Sequence, residues 1–215
     1  DMYAKCGVLG KAQEVFDELP NRNIVSWNAL ISGYAQHERN HEALKCFELM
    51  QDQGFTPNAI TFSSILKACG SIGFIAVGEK VHEEASKQGL LKENVVLGTA
   101  LLDMYAKCGV LVKAREVFEK LPKKNVISWT ALIAGYAQHG FGEEAVKYFR
   151  RMQAEGISPN AITFVSSLKA CGSIRNIDKG IEIHDKAMKT GFLECNQFVG
   201  NAVVDMYAKC GSILR

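Results

Sequence analysis

The chain repeats itself at a fixed distance, and this repetition limits the folds that it can adopt. The motif Asp-Met-Tyr-Ala-Lys-Cys-Gly begins at Asp1 and returns at Asp103 and Asp205, which places its copies 102 residues apart. The segments that begin at Asn58 and Lys67 also return after the same distance. Single units of a repeat array contain roughly 20–50 residues. We therefore expect each block of this length to contain several smaller units.

Apolar residues inside each block are spaced as on one face of a helix. One such face runs from Trp27 to Tyr34 with the spacing i, i+3, i+4, i+7, and its copy runs from Trp129 to Tyr136. A second apolar face follows in both copies, and a Pro-Asn pair ending at Asn58 closes the first of them. A single pair of such helices cannot bury both faces. The pattern predicts an all-α fold in which helix pairs stack.

Composition limits the classes of function. Hydrophobic residues make up 47% of the chain, which is enough for a continuous core, and the formal net charge is only +2. Affinity for nucleic acid would therefore need a local basic stripe. No apolar run reaches about 18 residues, so we expect no membrane span. The first residues do not have the pattern of a targeting peptide, and any such segment is expected to lie outside this sequence.

These motifs resemble the pentatricopeptide-repeat (PPR) family, and specifically its plant P-L-S subclass. The resemblance rests on Ser26–Ile31, on Asp103–Gly109 and on the terminal Pro-Asn pairs. The subclass alternates three repeat types of about 35, 36 and 31 residues, whereas a tetratricopeptide array has a constant period of about 34. The resemblance divides the chain into a partial S-type repeat at 1–23, P-type at 24–58, L-type at 59–94, S-type at 95–125, P-type at 126–160, L-type at 161–196 and a partial S-type repeat at 197–215.

The resemblance implies a right-handed α-α superhelical solenoid of helix-turn-helix repeats that binds single-stranded RNA at about one base per repeat. In the family, the fifth and last residues of a repeat face one base, and the second residues of this repeat and the next enclose it. The base-reading residues carried over in this way are Asn28, Asn58, Ser63, Asn94, Thr99, Asn125, Thr130, Asn160, Val165 and Asn196, with Asn23 and Asn201 in the partial repeats.

Every last residue is Asn rather than Asp, and this difference has chemical meaning. Ionised Asp only accepts hydrogen bonds, which suits the ring N–H of uracil or guanine. Asn can both donate and accept, which suits adenine and cytosine. Family behaviour pairs Ser or Thr at the fifth position with purines and Asn with pyrimidines. The expected site is 5′-C-A-A-A-N-3′, with C (or U) at 24–58 and a weak preference at 161–196, where Val165 offers no hydrogen bond.

Two further sets of residues complete the expected RNA site. The second residues of the repeats are apolar, and we expect them to stack on bases, although packing at helix starts is an alternative. They are Val25, Ile60, Val96, Ile127, Ile162 and Phe198. Lys5, Lys107 and Lys209 recur at one place, about one helical turn from the base-reading region, and are expected to contact phosphates unless they are simply solvated.

No motif predicts catalysis, a metal or a cofactor. The seven cysteines form no C-x-x-C pair, and Cys108 and its copies fall within an apolar face, as core residues do. His82-Glu83-Glu84 matches H-x-E, but the P-C-x-x-C part of the zinc deaminase signature is missing. His184 is a copy of His82 without the glutamates, which favours a role in the repeat. The chain is not expected to be an enzyme.

The expected function is sequence-specific binding of single-stranded RNA, as the specificity module of organellar C-to-U editing in a mitochondrion or chloroplast. One alternative is a protein-interaction scaffold in which the L-type repeats bind multiple organellar RNA editing factors. Another is self-association, with a homodimer formed through truncated ends at 1–23 and 197–215 that expose apolar helix faces.

Overall fold

The computed structural model describes residues 2–92 and 94–211, and every regular element in these two ranges is an α-helix. The all-α prediction is therefore confirmed. None of the described helices is long and apolar enough to span a membrane. Asp1 and residues 212–215, which belong to the partial repeats predicted at the two ends, lie outside the described residues. The helices are α1 (Met2–Lys5), α2 (Leu9–Asp17), α3 (Ile24–Gln36), α4 (Asn40–Asp52), α5 (Ala59–Ile72), α6 (Ile75–Lys87), α7 (Val95–Lys107), α8 (Leu111–Lys120), α9 (Val126–Gln138), α10 (Gly142–Ala154), α11 (Ala161–Ser173), α12 (Ile177–Lys189), α13 (Phe192–Cys195) and α14 (Gln197–Lys209).

An asparagine fixes the start of the first helix in six of the seven proposed repeats. These helices are α3, α5, α7, α9, α11 and α14, and the residue before each of them is Asn. In all six, the Asn side chain accepts hydrogen bonds from backbone N–H groups of the first turn. These N–H groups have no acceptor within the helix, so the cap stabilises it. The assignment of P, L and S types to the repeats stays a prediction.

The chain divides into two compact bodies. The N-terminal body contains residues 1–108 and 120–122, and the C-terminal body contains residues 109–119 and 123–215. Within the N-terminal body, α3 packs against α5 and α5 against α7. Within the C-terminal body, α9 packs against α11 and α11 against α14. The first helices of neighbouring repeats therefore form the centre of each body.

The N-terminal body is built around large apolar side chains from successive first helices. Trp27, Phe62 and Leu97 are each almost fully buried, and Phe16 packs edge-on against Trp27 with ring centroids 4.6 Å apart. Burial of one such side chain contributes about 1.5–3 kcal/mol. Gly70 allows α5 and α7 to approach closely, since a Cβ atom there would lie 3.2 Å from the Cα atom of Met104.

The C-terminal body repeats these contacts. Trp129 and Phe164 are fully buried, and Phe118 meets Trp129 edge-on with ring centroids again 4.6 Å apart. Gly172 is the copy of Gly70, and a Cβ atom there would lie 3.4 Å from the Cα atom of Met206. The repetition in the sequence thus corresponds to a repetition of packing contacts.

Candidate nucleic-acid interface

The second residue of each first helix is apolar and faces solvent. Val25, Ile60, Val96, Ile127, Ile162 and Phe198 are between 59% and 76% exposed. Side chains that served only to pack helix starts would be buried, so the exposure favours stacking on a ligand over packing. These six exposed apolar side chains, three in each body, share one helical position, and we call this set the apolar row.

The fifth residue lies beside the second on the same face of its helix. In α5, Ser63 follows Ile60 by three residues, and Lys67 follows Ser63 by four. Residues at these spacings are neighbours on a helix surface. This face of α5 therefore presents, in order, an apolar side chain, a predicted base-reading side chain and a charged side chain.

The last residue of each repeat is held by its role as an N-cap. Asn58 Oδ1 accepts from the backbone N–H groups of Ile60 (3.0 Å) and Thr61 (3.2 Å). Because backbone N–H groups can only donate, the accepting atom must be the oxygen, which fixes the orientation of the amide. Nδ2 of Asn58 donates to no described residue. Asn was expected to act as both a donor and an acceptor toward a base, but the oxygen of Asn58 already accepts hydrogen bonds from the helix.

The structure brings the fifth and last residues of the P-type repeat 24–58 into direct contact. Asn28 Nδ2 donates to Asn58 Oδ1 at 3.2 Å. Thr61 is the third residue of the next repeat, and its hydroxyl donates to Asn28 Oδ1 at 2.6 Å. Asn28 and Thr61 are both buried. The two predicted base-reading residues and Thr61 form one hydrogen-bonded cluster.

The P-type repeat 126–160 has a cluster of the same kind. Thr130 Oγ1 lies 2.7 Å from the hydroxyl oxygen of Thr163, the copy of Thr61. Thr163 Oγ1 also donates to Asn160 Oδ1 at 2.9 Å. Thr163 thus links Thr130 to Asn160 in this repeat.

The fifth residues of the L-type repeats are not linked to the last ones. The Ser63 hydroxyl donates to the Ala59 carbonyl oxygen at 2.7 Å, and Val165 has no polar group. Asn94 accepts only from the Leu97 N–H, at 3.0 Å. No hydrogen bond in the described ranges joins Ser63 to Asn94, or Val165 to its predicted partner Asn196.

The remaining predicted positions belong to the S-type repeats and the chain ends. The Thr99 hydroxyl donates to the Val95 carbonyl oxygen at 2.7 Å within the N-terminal body. Asn125, the last residue of that repeat, caps α9 in the C-terminal body through the Ile127 and Ser128 N–H groups. Asn23 caps α3, Asn196 caps α14, and Asn201 is exposed on α14.

The predicted phosphate contacts are partly neutralised. Lys107 Nζ bonds Asp103 at 2.7 Å, and Lys209 Nζ bonds Asp205 at the same distance. Lys107 also follows Thr99 by eight residues, which is about two helical turns rather than the one turn expected. A phosphate here would meet a carboxylate as well as an ammonium group. Lys5 is exposed, and the Asp1 that would correspond to Asp103 is outside the described residues.

Two lysines that the sequence analysis did not assign are better placed. Lys67 and its copy Lys169 are exposed on the first helices of the L-type repeats, four residues after the fifth position. Their ammonium groups make no ion pair or hydrogen bond with the described residues. Their recurrence after 102 residues was visible in the sequence. The sequence does not show that Lys107 and Lys209 form ion pairs with aspartates, whereas Lys67 and Lys169 form none with the described residues.

The cysteines differ in burial, and the H-x-E motif belongs to the repeat packing. Cys46, Cys69 and Cys171 are buried. The expected core set does not hold, because Cys108 and Cys210 are only half-buried and Cys6 is exposed, as is Cys195. Burial raises the pKa of the Cys69 and Cys171 thiols to about 12, so both stay protonated at neutral pH. His82 Nδ1 lies 2.8 Å from the Tyr105 hydroxyl, and its copy His184 lies 2.9 Å from the hydroxyl of Tyr207. Both histidines therefore make the same contact between neighbouring helices.

Comparison with known proteins identifies the family. Models of the PPR repeat family match residues 22–71 and 124–173, and the PPR repeat matches residues 1–24 and 99–126. The pentatricopeptide repeat-containing protein At4g18520, chloroplastic, of Arabidopsis thaliana is 40% identical over 213 residues, which cover 99% of this chain and 34% of that protein. The pentatricopeptide repeat-containing protein At3g24000, mitochondrial, of the same plant is 42% identical over 213 residues, covering 99% and 33%. The chain thus spans about a third of the length of these curated relatives.

Solved structures give the same result for the fold. The crystal structure of maize PPR10 superposes with a TM-score of 0.70 at 26% identity, covering 96% of this chain and 30% of PPR10. PPR10 in complex with an 18-nt psaJ RNA element superposes with a TM-score of 0.80 at 22% identity, covering 96% and 31%. The repeat fold that the sequence predicts is therefore confirmed. On the sequence matches and the fold together, the chain belongs to the pentatricopeptide-repeat family.

Proposed function

We propose that this chain binds single-stranded RNA, with about one base held at each repeat. The observation that carries the proposal is the apolar row. An exposed apolar side chain lies at the start of each of the six helices that are capped by an asparagine. Bases of any sequence have apolar faces that such side chains can enclose. PPR10, which shares the fold, has been crystallised with an RNA element.

The base preference is proposed to follow from the free donor of each last residue. Asn Nδ2–H complements the ring acceptor of adenine (N1) or cytosine (N3), whereas guanine and uracil present a ring N–H at that place. Ser63 and Thr99 hydroxyls donate to their own helices, so their oxygen lone pairs are available to an amino group such as that of adenine. The preferred order 5′-C-A-A-A-N-3′ is consistent with these donors and acceptors.

The RNA backbone is proposed to follow the lysines of the apolar-row face. Lys67 and Lys169 extend from the helices that carry Ser63 and Val165, without a carboxylate partner among the described residues. Lys5, Lys107 and Lys209 would add weaker contacts, because a phosphate has to compete with Asp103 and Asp205 for two of them. Local lysines thus supply the attraction that a net charge of +2 does not.

The biological role is proposed from the P-L-S resemblance and from the relatives. A specificity module for C-to-U editing in a chloroplast or mitochondrion fits the resemblance, and of the two Arabidopsis relatives one is named as chloroplastic and the other as mitochondrial. The missing link between fifth and last residues in the L-type repeats supports a second candidate role, the binding of editing factors by those repeats.

Removing one side chain of the apolar row tests the proposal. Val96→Ala should weaken binding to a short RNA containing C-A-A-A by about threefold to tenfold, because base stacking contributes about 1–3 kcal/mol for larger side chains and less for Val. Val112→Ala is a matched control, since Val112 is 61% exposed on the second helix α8 and Val96 is 72% exposed on α7. Fluorescence anisotropy measures both affinities. Equal losses for the two variants would contradict a stacking role.

A further inference from the structure

We propose that Thr61 and Thr163 are positioning residues that set the hydrogen-bonding pattern shown to the base by the preceding P-type repeat. Each is the third residue of an L-type repeat and is fully buried. Neither would touch the base. The inference rests on the proposed RNA binding and adds the residues that hold the base-selecting pair in one orientation.

In the N-terminal body, Thr61 closes a ring of hydrogen bonds. Its single hydroxyl proton goes to Asn28 Oδ1, the nearest acceptor at 2.6 Å, and its oxygen accepts the backbone N–H of Asn58 at 3.2 Å. Asn28 Nδ2 donates in turn to Asn58 Oδ1 at 3.2 Å. A buried polar atom without a partner is costly, so the three side chains orient one another. The cluster leaves one Asn28 N–H and the Nδ2 group of Asn58 for a ligand.

In the C-terminal body, the donor direction can be deduced. Asn160 Oδ1 accepts a hydrogen bond from the Thr163 backbone N–H at 2.9 Å, so it is the amide oxygen. The contact of 2.9 Å between Thr163 Oγ1 and that oxygen therefore uses the Thr163 proton. Thr130 must then donate in its contact with Thr163, and its oxygen is left as an acceptor. The repeat presents an acceptor at Thr130 and a donor at Asn160, which matches the amino group and N1 of adenine.

The other first helices lack this link in the described part of the chain. Ser26 and Ser128 also stand at third positions, but their hydroxyls donate to the backbone carbonyls of Asn23 (2.8 Å) and Asn125 (2.9 Å). The third residues of the S-type repeats are Leu97 and Val199, which have no hydroxyl. Among the described residues, only Thr61 and Thr163 join a fifth residue to a last one by hydrogen bonds.

Substitution by valine removes the hydroxyl and keeps the shape. Thr61→Val should reduce the discrimination of C against G at the first base of 5′-C-A-A-A-N-3′ by about fivefold, as expected for one net hydrogen bond. Discrimination at the fourth base should not change. Thr163→Val should do the reverse, so each variant is the control for the other. Thr61→Ser restores the hydroxyl and should restore the discrimination.

The outcomes separate the inference from the proposed function. If both valine variants bind every RNA more weakly by the same factor, the threonines act only on stability and the inference is wrong. If the wild-type chain discriminates and the valine variants still do, the inference is wrong while the proposed function stands. If the wild-type chain binds all sequences equally, the inference and the proposed base preference both fail, while RNA binding itself stands.

A second measurement uses the unchanged protein and avoids the folding of variants. The fourth adenosine is replaced by 1-deazaadenosine, which lacks N1, or by purine riboside, which lacks the amino group. Each replacement should weaken binding by about fivefold, because the first removes the partner of Asn160 and the second removes the partner of Thr130. Full affinity with either analogue would overturn the deduced donor and acceptor pattern.

Discussion

The carboxamide of Asn58 uses its oxygen to cap α5, and we propose that its nitrogen is left to a ligand. Oδ1 accepts from the first turn of α5, and Nδ2 donates to no described residue. A carboxylate could form the same cap, since Asp is as good an N-cap as Asn. Its second oxygen would then present an acceptor where Asn presents a donor. Recognition can thus change at this position without a change in the fold.

This division predicts the effect of Asn58→Asp. The variant should prefer U over C at the first base by about tenfold, because an acceptor there suits the ring N–H of uracil. Its thermal midpoint should stay close to that of the wild type. Anisotropy titrations with RNAs that differ only at the first base measure the preference. A preserved preference for C would show that Asn58 does not face this base.

The unpaired lysines predict a change in salt dependence. Lys67→Gln together with Lys169→Gln should make the slope of log affinity against log salt shallower by about 0.7 for each lost phosphate contact. Lys147→Gln is the control, because Lys147 is exposed on the second helix α10. Titrations at several salt concentrations give the slope. An unchanged slope in the double variant would place the phosphates elsewhere.

At the residue scale, the sequence predicts positions better than partners. The positions of the last-residue asparagines and of the apolar row follow from the family resemblance, and helix spacing places the second and fifth residues of a repeat on one face. The Lys107–Asp103 pair and the link through Thr61 depend on side-chain orientation and on contact with the next repeat. Neither can be read from spacing, which is why Lys67 and Thr61 were missed.

At the element scale, the caps define where the first helices begin. Asn125 Oδ1 accepts hydrogen bonds from two backbone N–H groups, and the Asn125 backbone N–H donates to Ser128 Oγ at 3.0 Å. The sequence contains a start signal of this kind, an Asn before an apolar-periodic segment, but the family resemblance assigned these asparagines to base reading only. It did not predict the short helix α13, which fills the end of the L-type repeat at Phe192–Cys195. A four-residue helix has too few residues for any periodic signal.

Loss of one cap should destabilise its helix measurably. Asn125→Ala should cost about 1 kcal/mol of folding free energy, because the first turn of α9 loses its acceptor. Asn125→Asp keeps the acceptor and should cost much less. Urea unfolding followed by circular dichroism compares the two variants with the wild type. Equal stability of all three would mean that the cap contributes nothing to this helix.

At the scale of the whole molecule, each body repeats one packing scheme. Trp27 and Trp129 lie at equivalent places, and so do Gly70 and Gly172 at their close helix contacts. The repetition of the sequence made this predictable. The chain covers about a third of the length of the two Arabidopsis relatives.

Equilibrium binding of the wild-type chain to single-base variants of one RNA tests the central claim most directly. The claim is that the asparagines that cap the first helices, together with the apolar row, select bases that carry a ring acceptor. Replacing the fourth A of 5′-C-A-A-A-N-3′ with G or U should weaken binding by about tenfold, a loss within the range of one base-edge contact. The same replacements at the last, weakly read position should have little effect. Equal affinity for all these RNAs would contradict the account.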